Sequence, residues 1–326
     1  MSTALPAYYH PTTICCIDDN HSFLRSLRLD MPDTIPCLTF SAPEDALDVI
    51  NKPPPLTPLA DRCFSLDISS SQPVIEFNMG ALEQEIQQVA RFQRLSVLLV
   101  DYAMPTMNGL EFCAMVADKD IKIALLTGVA DEKTAVAAFN EGLIDRYIRK
   151  SEMTSVQGVL PHIESLQRAY FTQYNARLNA NLALDPPRFM TAETLAPVLN
   201  RIIKEHGIVE YYLARDPWGY LMLRADGSMI RMVVLSDGEQ REQRALAESH
   251  GAPRTLISEL ATGHYMLNAY EHPLDYHGED AYPWHENLIA AEAVDNWLVG
   301  VDEAPPVDID FDANRTSFNQ FLRGHG

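Results

Sequence analysis

Short apolar runs, each stopped by a polar residue, set the rhythm of the first half of the chain. Thr12–Ile17 is β-branched and apolar and stops at Asp18-Asp19. The run from Val97 to Val100 stops at Asp101, Ile121–Leu126 stops at Thr127-Gly128, and Arg146–Arg149 stops at Lys150. Apolar runs without polar alternation read as strands buried on both faces, which is the habit of a parallel sheet. Pro36–Phe40 adds a strand after the first. Helical spacing fills the gaps: Phe23-Leu24-Leu27, Asp45–Ile50, Leu110-Phe112-Met115-Val116, and Ala135-Ala138-Phe139 closed by Gly142. Ser41-Ala42-Pro43-Glu44 predicts a helix start, with Ser41 as N-cap and a proline in the first turn. Strand and helix alternate five times, so the pattern predicts an α/β, doubly wound, five-stranded parallel sheet. In such sheets chemistry gathers beyond the carboxyl ends of the strands, where Asp18, Asp19, Asp101, Thr127 and Lys150 stand.

The pattern changes after Lys150. Ile163, Leu166, Tyr170, Tyr174 and Leu178 recur every three or four residues, predicting a long connecting helix over 161–184 with Pro161 in its first turn. Its apolar stripe calls for a cover, either the second domain or a second copy of the chain. Asp185-Pro186-Pro187 reads as a break. Beyond it, Leu195–Ile203 is an amphipathic helix stopped by Gly207. The runs Ile208–Ala214, Tyr220–Arg224 and Met229–Leu235 are separated by turn signals and predict a meander. Ser236-Asp237-Gly238-Glu239 is a capping box opening a polar helix to about His250. A helix over Thr255–Leu260 and strands over Leu288–Ala293 and Trp297–Val301 complete a separate α+β domain over 185–326.

Before the third strand the chain is longer than the repeat needs, for 82 positions separate Asp19 from Asp101. The surplus lies at about residues 52–94. It starts with Pro53-Pro54-Pro55, offers strand-like pieces Cys63–Ile68 and Pro73–Met79 around Ser69-Ser70-Ser71-Gln72, and ends in a helical stretch, Leu82–Phe92. This insertion enters at the amino-terminal edge of the sheet. It is expected either to pack passively on the first domain or to offer a docking surface.

Composition narrows the function classes. The 326-residue chain carries a formal charge of −20. Lys and Arg against Asp and Glu number 12 to 20 over residues 1–150 and 13 to 25 over 151–326. Nucleic-acid binding needs phosphate-neutralising cations on some face, so both halves argue against it. Neither a helix-turn-helix with a basic second helix nor a Walker loop nor an HD metal signature is found. The five cysteines show no CxxC spacing, and adjacent Cys15 and Cys16 point to opposite faces of a strand, as core residues would. No apolar run approaches the roughly 18 residues of a membrane span, and no leader pattern precedes the first strand. A reduced, cytoplasmic protein without membrane contact is expected. His264, His272, His277 and His285 lack HxH or HxxxH spacing and read as a solvated loop.

Four landmarks in this order give a family resemblance. The acidic pair Asp18-Asp19, the D-x-x-M-P-x-M-N-G match at Asp101–Gly109, Thr127 and Lys150 make residues 12–170 resemble the receiver (CheY-like, flavodoxin-like) domain of two-component response regulators. The resemblance implies Asp101 as phosphoacceptor, with Thr127 and Lys150 contacting the phosphoryl group and Tyr147 as an aromatic switch. It implies Mg²⁺ held by Asp19, Asp101 and the backbone carbonyl of Ala103, with Asp18 acting mostly through water. Converging carboxylates repel one another unless a cation sits between them, and a hard, oxygen-preferring cation suits the set. The expected partners are a histidine kinase or phosphotransfer protein and, on phosphorylation, a second copy of the chain as a homodimer. The only enzymatic step implied is self-catalysed phosphoryl transfer to Asp101 and its hydrolysis. The expected organisation is a receiver over 1–160, the helix, and an output domain acting by protein contact. Alternatives are a DNA-binding transcription regulator, or an output domain that senses a small ligand or is an enzyme. The whole arrangement is faintly similar to quorum-sensing regulators of the Lqs type. One departure stands out: Lys150 is followed by Ser151 where receivers usually carry proline.

Overall fold

The computed structural model describes the chain apart from residues 1–4, 55, 68–73, 79, 129–131, 153–155, 183–186, 269–282, 305–308, 310 and 326. Strands β1 (Tyr8–Tyr9), β2 (Thr13–Ile17) and β3 (Cys37–Phe40) precede a hairpin of β4 (Phe64–Asp67) and β5 (Val74–Phe77). Then come β6 (Leu95–Asp101), β7 (Lys122–Thr127) and β8 (Arg146–Arg149). The second half holds β9 (Ile208–Ala214), β10 (Gly219–Arg224), β11 (Met229–Ser236), β12 (Tyr265–Leu267), β13 (Leu288–Val294) and β14 (Trp297–Asp302). One sheet has the order β3-β2-β6-β7-β8 and is parallel throughout. Another has the order β1-β9-β10-β11-β14-β13-β12 and is antiparallel throughout.

The doubly wound sheet and the separate α+β region are as the pattern predicts. Helices α1 (His21–Asp30) and α2 (Pro43–Ile50) flank β3 in sequence, while α3 (Leu59–Arg62) and α4 (Gly80–Glu85) bracket the hairpin. Then come α5 (Gly109–Met115), α6 (Glu132–Asn140) and α7 (Val156–Leu182). The two faces of the parallel sheet make two cores. Cys15, Ile17, Leu98, Val100 and Leu125 pack with Ala46 and Leu47 of α2 and Phe112 of α5. Ile14, Cys16, Val97, Leu99 and Leu126 pack with Leu24 and Leu27 of α1 and Ile163 and Leu166 of α7. Cys15 and Cys16 thus serve opposite cores, each fully buried as a free thiol. The chain turns back on itself between β2 and β6, since β3 lies on one side of β2 and β6 on the other. That reversal opens a crevice at the carboxyl ends of these two strands.

Packing divides the chain differently from the expected 1–160, 161–184 and 185–326. A parallel-sheet unit comprises Pro11–Pro58, Val89–Arg177 and Phe321–Gly326, and an antiparallel-sheet unit comprises Met1–His10, Leu59–Gln88 and Leu178–Gln320. The insertion, with its β4–β5 hairpin and α4, therefore belongs to the second unit rather than lying on the first. The insertion is tied there by α4, which packs on β9, and the chain's start joins the same unit by pairing, Tyr8 and Tyr9 with Tyr212 and Tyr211. A two-residue strand leaves no periodicity for a sequence reading to find.

Local expectations meet mixed outcomes. The helix expected over Leu82–Phe92 is interrupted, with α4 ending at Glu85 and a 3₁₀ turn at Val89–Gln93. Ala42, not Ser41, is the N-cap of α2, without a side-chain cap, and Pro43 opens the first turn. Pro161 lies inside α7, which begins at Val156 and runs unbroken to Leu182. The linker Ser69–Gln72 and the break residues Asp185 and Pro186 lie outside the described residues, as do His272 and His277. In the antiparallel unit, α8 (Leu195–Glu205) packs on β9, α9 (Asp237–Ser249) on β11 and β14, and α10 (Arg254–Thr262) on α9 and β12. The Ser236–Glu239 capping box is formed, with the Glu239 N–H donating to Ser236 Oγ and the Ser236 N–H to Glu239 Oε2. The short helices α11 (Ala313–Thr316) and α12 (Phe318–His325) end the chain. Among the described residues no helix is long and apolar enough to cross a membrane.

The α7 stripe, for which either the second domain or a second copy was the expected cover, needs no second copy. Ile163, Leu166, Tyr170, Tyr174 and Leu178 are all buried within a single chain. A face already covered in one copy offers nothing to another.

Candidate functional site

The crevice at the strand reversal brings the acidic residues together. Asp18 and Asp19 follow directly on β2, and Asp101 is the last residue of β6. Each of the three offers a carboxylate oxygen within 4.8 Å of the others. Asp18 is fully buried, Asp101 nearly so, and Asp19 is exposed. Their positions differ because the chain turns outward at once: Asn20 caps α1, accepting from the Ser22 and Phe23 N–H groups through Oδ1, while its own N–H donates to Asp18 Oδ1 at 2.8 Å.

Lys150, the first residue of a 3₁₀ turn after β8, closes the site. Its ammonium donates to Asp18 Oδ2 at 2.8 Å and pairs with Asp101 Oδ2 at 2.9 Å. The Phe23 ring lies beneath it, with its centroid 5.5 Å from Nζ. Burial raises the Asp18 carboxyl above its ordinary range, and the Asp101 charge adds to the rise. Hydrogen bonds from Lys150 and Asn20 offset part of it. For Lys150 burial works toward deprotonation, yet the two carboxylates outweigh it and hold the ammonium above its usual value. The site is an acid-rich pocket in which the Lys150 ammonium is shared by two carboxylates.

The turn after Asp101 is built for close approach. Asn108 caps α5 through a capping box with Glu111, and Gly109 follows. A Cβ on Gly109 would overlap the backbone oxygen of Asp101 and stand 2.9 Å from Leu125 Cδ1. The Asn-Gly of the sequence motif therefore sets how tightly the loop folds under the strand that carries Asp101. From the sequence, Gly109 is legible as a turn residue and Phe23 as part of a helix face, but neither the close approach at Gly109 nor the place of Asn20 and Phe23 beside the acidic pair is. The signal for Asn20 is that of a cap residue directly after an acidic pair.

Thr127 ends β7, fully buried, and its hydroxyl has no hydrogen-bond partner among the described residues. An unpaired buried hydroxyl is costly, so the site holds a donor in reserve for something that enters it. Tyr147 sits in β8 beside Leu125, half-buried against the core cluster on that face. Successive residues alternate faces, so Thr127, two positions beyond Leu125, shares Tyr147's face of the sheet. Ala103 lies in the loop after β6 with its residue exposed. The donor set is oxygen-only and acidic, which fits a hard divalent cation such as Mg²⁺.

Comparisons with known proteins agree with this geometry. Residues 70–156 match the sequence profile of the response regulator receiver domain. The matched stretch holds Asp101, Thr127 and Lys150; β2, with Asp18 and Asp19, lies before it, and the fold brings that strand alongside β6. The response regulator LqsR of Legionella pneumophila has a similar structure over 99% of this chain and 97% of its own, with a TM-score of 0.76 and 29% identity. The cyclic di-GMP phosphodiesterase response regulator RpfG of Xanthomonas campestris pv. campestris is 42% identical over 60 residues, which are 17% of this chain. That match spans 16% of RpfG, so the likeness covers only a small part of the relative.

Proposed function

From a chain that carries a response regulator receiver domain, we propose a phosphorylation-controlled switch in which Asp101 accepts a phosphoryl group from a histidine kinase or phosphotransfer protein. The observation that carries this reading is the meeting of Asp101 with Lys150, Asp18 and Asp19, opposite a buried Thr127 hydroxyl without a partner.

The residues divide the work. An Asp101 carboxylate oxygen attacks phosphorus, an O–P bond forms, and the donor's P–N bond breaks, with the proton returning to the departing imidazole. Lys150 turns from Asp101 Oδ2 to pair with a phosphoryl oxygen, a charge-assisted contact. The Thr127 hydroxyl donates to another phosphoryl oxygen and so gains the partner it lacks. Asp18, Asp19, Asp101 and the Ala103 carbonyl would hold Mg²⁺, which offsets the charge that builds up when two anions meet. As Thr127 is drawn toward the phosphoryl group, room opens on its face of the sheet for Tyr147 to turn inward.

The antiparallel unit is read as an output module acting through protein contact. Its acidity supports that over a DNA-binding output, the absence of a Walker loop or HD metal signature supports it over a catalytic one, and the phosphodiesterase activity named for RpfG is not carried over. The chain is expected to work in the cytoplasm, where histidine kinases deliver phosphoryl groups. The test is incubation with phosphoramidate and Mg²⁺ followed by mass spectrometry of the intact chain. One phosphoryl group should add to wild type and none to Asp101→Asn. Equal gain in both would overturn the assignment.

A further inference from the structure

At the amino-terminal ends of β2 and β3, away from the acidic pocket at the carboxyl ends, the parallel-sheet unit holds an apolar cavity of about 490 Å³. Met31, Ile35 and Leu38 form one side, and Phe321 and Leu322 of α12 form the other. Its walls are fixed by covalent and hydrogen-bonded constraints rather than by loose packing. Pro32 and Pro36 restrict the loop between α1 and β3. The Ile35 N–H donates to the Pro32 carbonyl at 2.9 Å, and the Ile14 N–H to the Pro36 carbonyl at 2.8 Å. Phe321 is held against Phe92, with ring centroids 5.4 Å apart. With its walls braced in this way the cavity has a volume in the range of small-molecule sites.

The polar groups indicate which end of a ligand goes where. Arg28, in the last turn of α1, lines the cavity and is exposed. Among the described residues it has no hydrogen-bond or ion-pair partner. Burial pushes the Cys37 thiol, on the same wall, up to about 12, with Arg28 close enough to oppose the rise. The thiol is therefore neutral, and the charged side chains of the lining are the accessible guanidinium of Arg28 and the exposed carboxylate of Asp33, beside an apolar hollow. We infer that this cavity binds a small amphiphile, with an alkyl chain among Met31, Ile35, Leu38 and Phe321 and a carboxylate head on Arg28. Guanidinium and carboxylate match as a planar, two-pronged pair, which makes this head group the natural complement.

Calorimetric titration of the full chain with hexanoate, octanoate and decanoate, each below its self-association range, tests the inference. Affinity should rise by about fourfold per added methylene until the cavity is filled. Arg28→Ala, at an exposed position where the fold is not at stake, should weaken octanoate about tenfold while leaving 1-octanol unchanged. Ile35→Trp should fill the hollow and abolish binding of all three acids; Leu322→Trp makes the same test from the opposite wall if the first variant does not fold. Absence of saturable binding, indifference to chain length, or equal loss of octanoate and octanol in Arg28→Ala would each overturn the proposal.

Discussion

The Lys150 ammonium donates to Asp18 Oδ2 across 2.8 Å, joining residues 132 positions apart. Without that bond Asp18 would be a buried carboxylate beside a second one. With it, the Asp18 carboxyl is still raised above its ordinary range, because burial exceeds what Lys150 and Asn20 return. A carboxyl whose folded value is raised takes up a proton more readily when folded, so it opposes folding above its unfolded value and this opposition fades as pH falls through the folded one. Asp18→Asn should therefore raise stability at pH 7, with the gain shrinking toward acid. Lys150 stays paired with Asp101 in that variant. Urea unfolding without Mg²⁺, from pH 4 to 7, checks both sign and slope; a variant less stable than wild type across the range would contradict it.

The two aspartates of the acidic pair should differ in metal binding. Both oxygens of Asp18 are engaged, Oδ1 by the Asn20 N–H and Oδ2 by Lys150, whereas Asp19 is exposed. Asp19→Ala should weaken Mg²⁺ more than Asp18→Ala, since a direct ligand is lost rather than one acting through water. A fluorescence titration giving the reverse order would refute the ranking.

Much of this was legible in the sequence where strands ended in charge. The runs closing on Asp18-Asp19, Asp101, Thr127 and Lys150 all became parallel strands whose carboxyl ends meet, because two-sided burial leaves an unbroken apolar signature. The strands β9 to β11 were found for the opposite reason, through their turns. What escaped was pairing between distant parts of the chain. Tyr8-Tyr9 joins β9, and β12 contributes three residues, so neither is long enough to show a period. The insertion's hairpin was anticipated but not its allegiance, since allegiance is a tertiary property that local pattern does not encode. At Ser41 the cap signature lost to the proline: with Pro43 at the first helical positions the start shifts, and Ala42 takes the cap place.

Thr127 keeps a hydroxyl buried with no partner, so removing that hydroxyl should relieve the unphosphorylated state. Thr127→Val preserves shape and should stabilise the chain by about 1 kcal/mol in urea unfolding. On the proposed role of Thr127, the same variant should also shorten the lifetime of an acyl phosphate on Asp101 and uncouple Tyr147. Intrinsic fluorescence that responds to beryllofluoride in wild type should stay flat in Thr127→Val. A destabilised variant with an intact response would count against both halves of this prediction.

Gly109 is needed for space rather than for unusual backbone angles. Any side chain there meets the Asp101 carbonyl and Leu125. Gly109→Ala should cost about 2–4 kcal/mol and displace Asp101. Phosphorylation should then slow even at temperatures where the variant remains folded. Normal labelling rates in a folded Gly109→Ala chain would show that the loop has slack.

If phosphorylated copies pair, they must do so through a face that a single chain leaves open, and α7 does not provide it. Tyr170 packs against Tyr174 and Phe171, with ring centroids 4.8 and 5.4 Å apart. Arg177 lies over the Tyr174 ring and forks onto Asp120 at 2.6 and 2.7 Å. Carboxylates at Tyr170 or Tyr174 would replace buried aromatic packing with buried charge, so Tyr170→Asp and Tyr174→Asp should each cost about 3–5 kcal/mol and yield poorly folded protein. The open apolar side chains near the switch are Val136 and Phe139 on α6, the latter 48% exposed. Phe139→Ser should leave the unfolding midpoint within error, since little buried area is lost there. It should also hold the chain monomeric in beryllofluoride and Mg²⁺ under light scattering at micromolar concentration, where wild type shifts toward dimer. Two-fold pairing makes the patch count twice, which amplifies a single substitution. A Phe139→Ser chain that still dimerises, or a folded Tyr170→Asp chain that does not, would return the interface to α7.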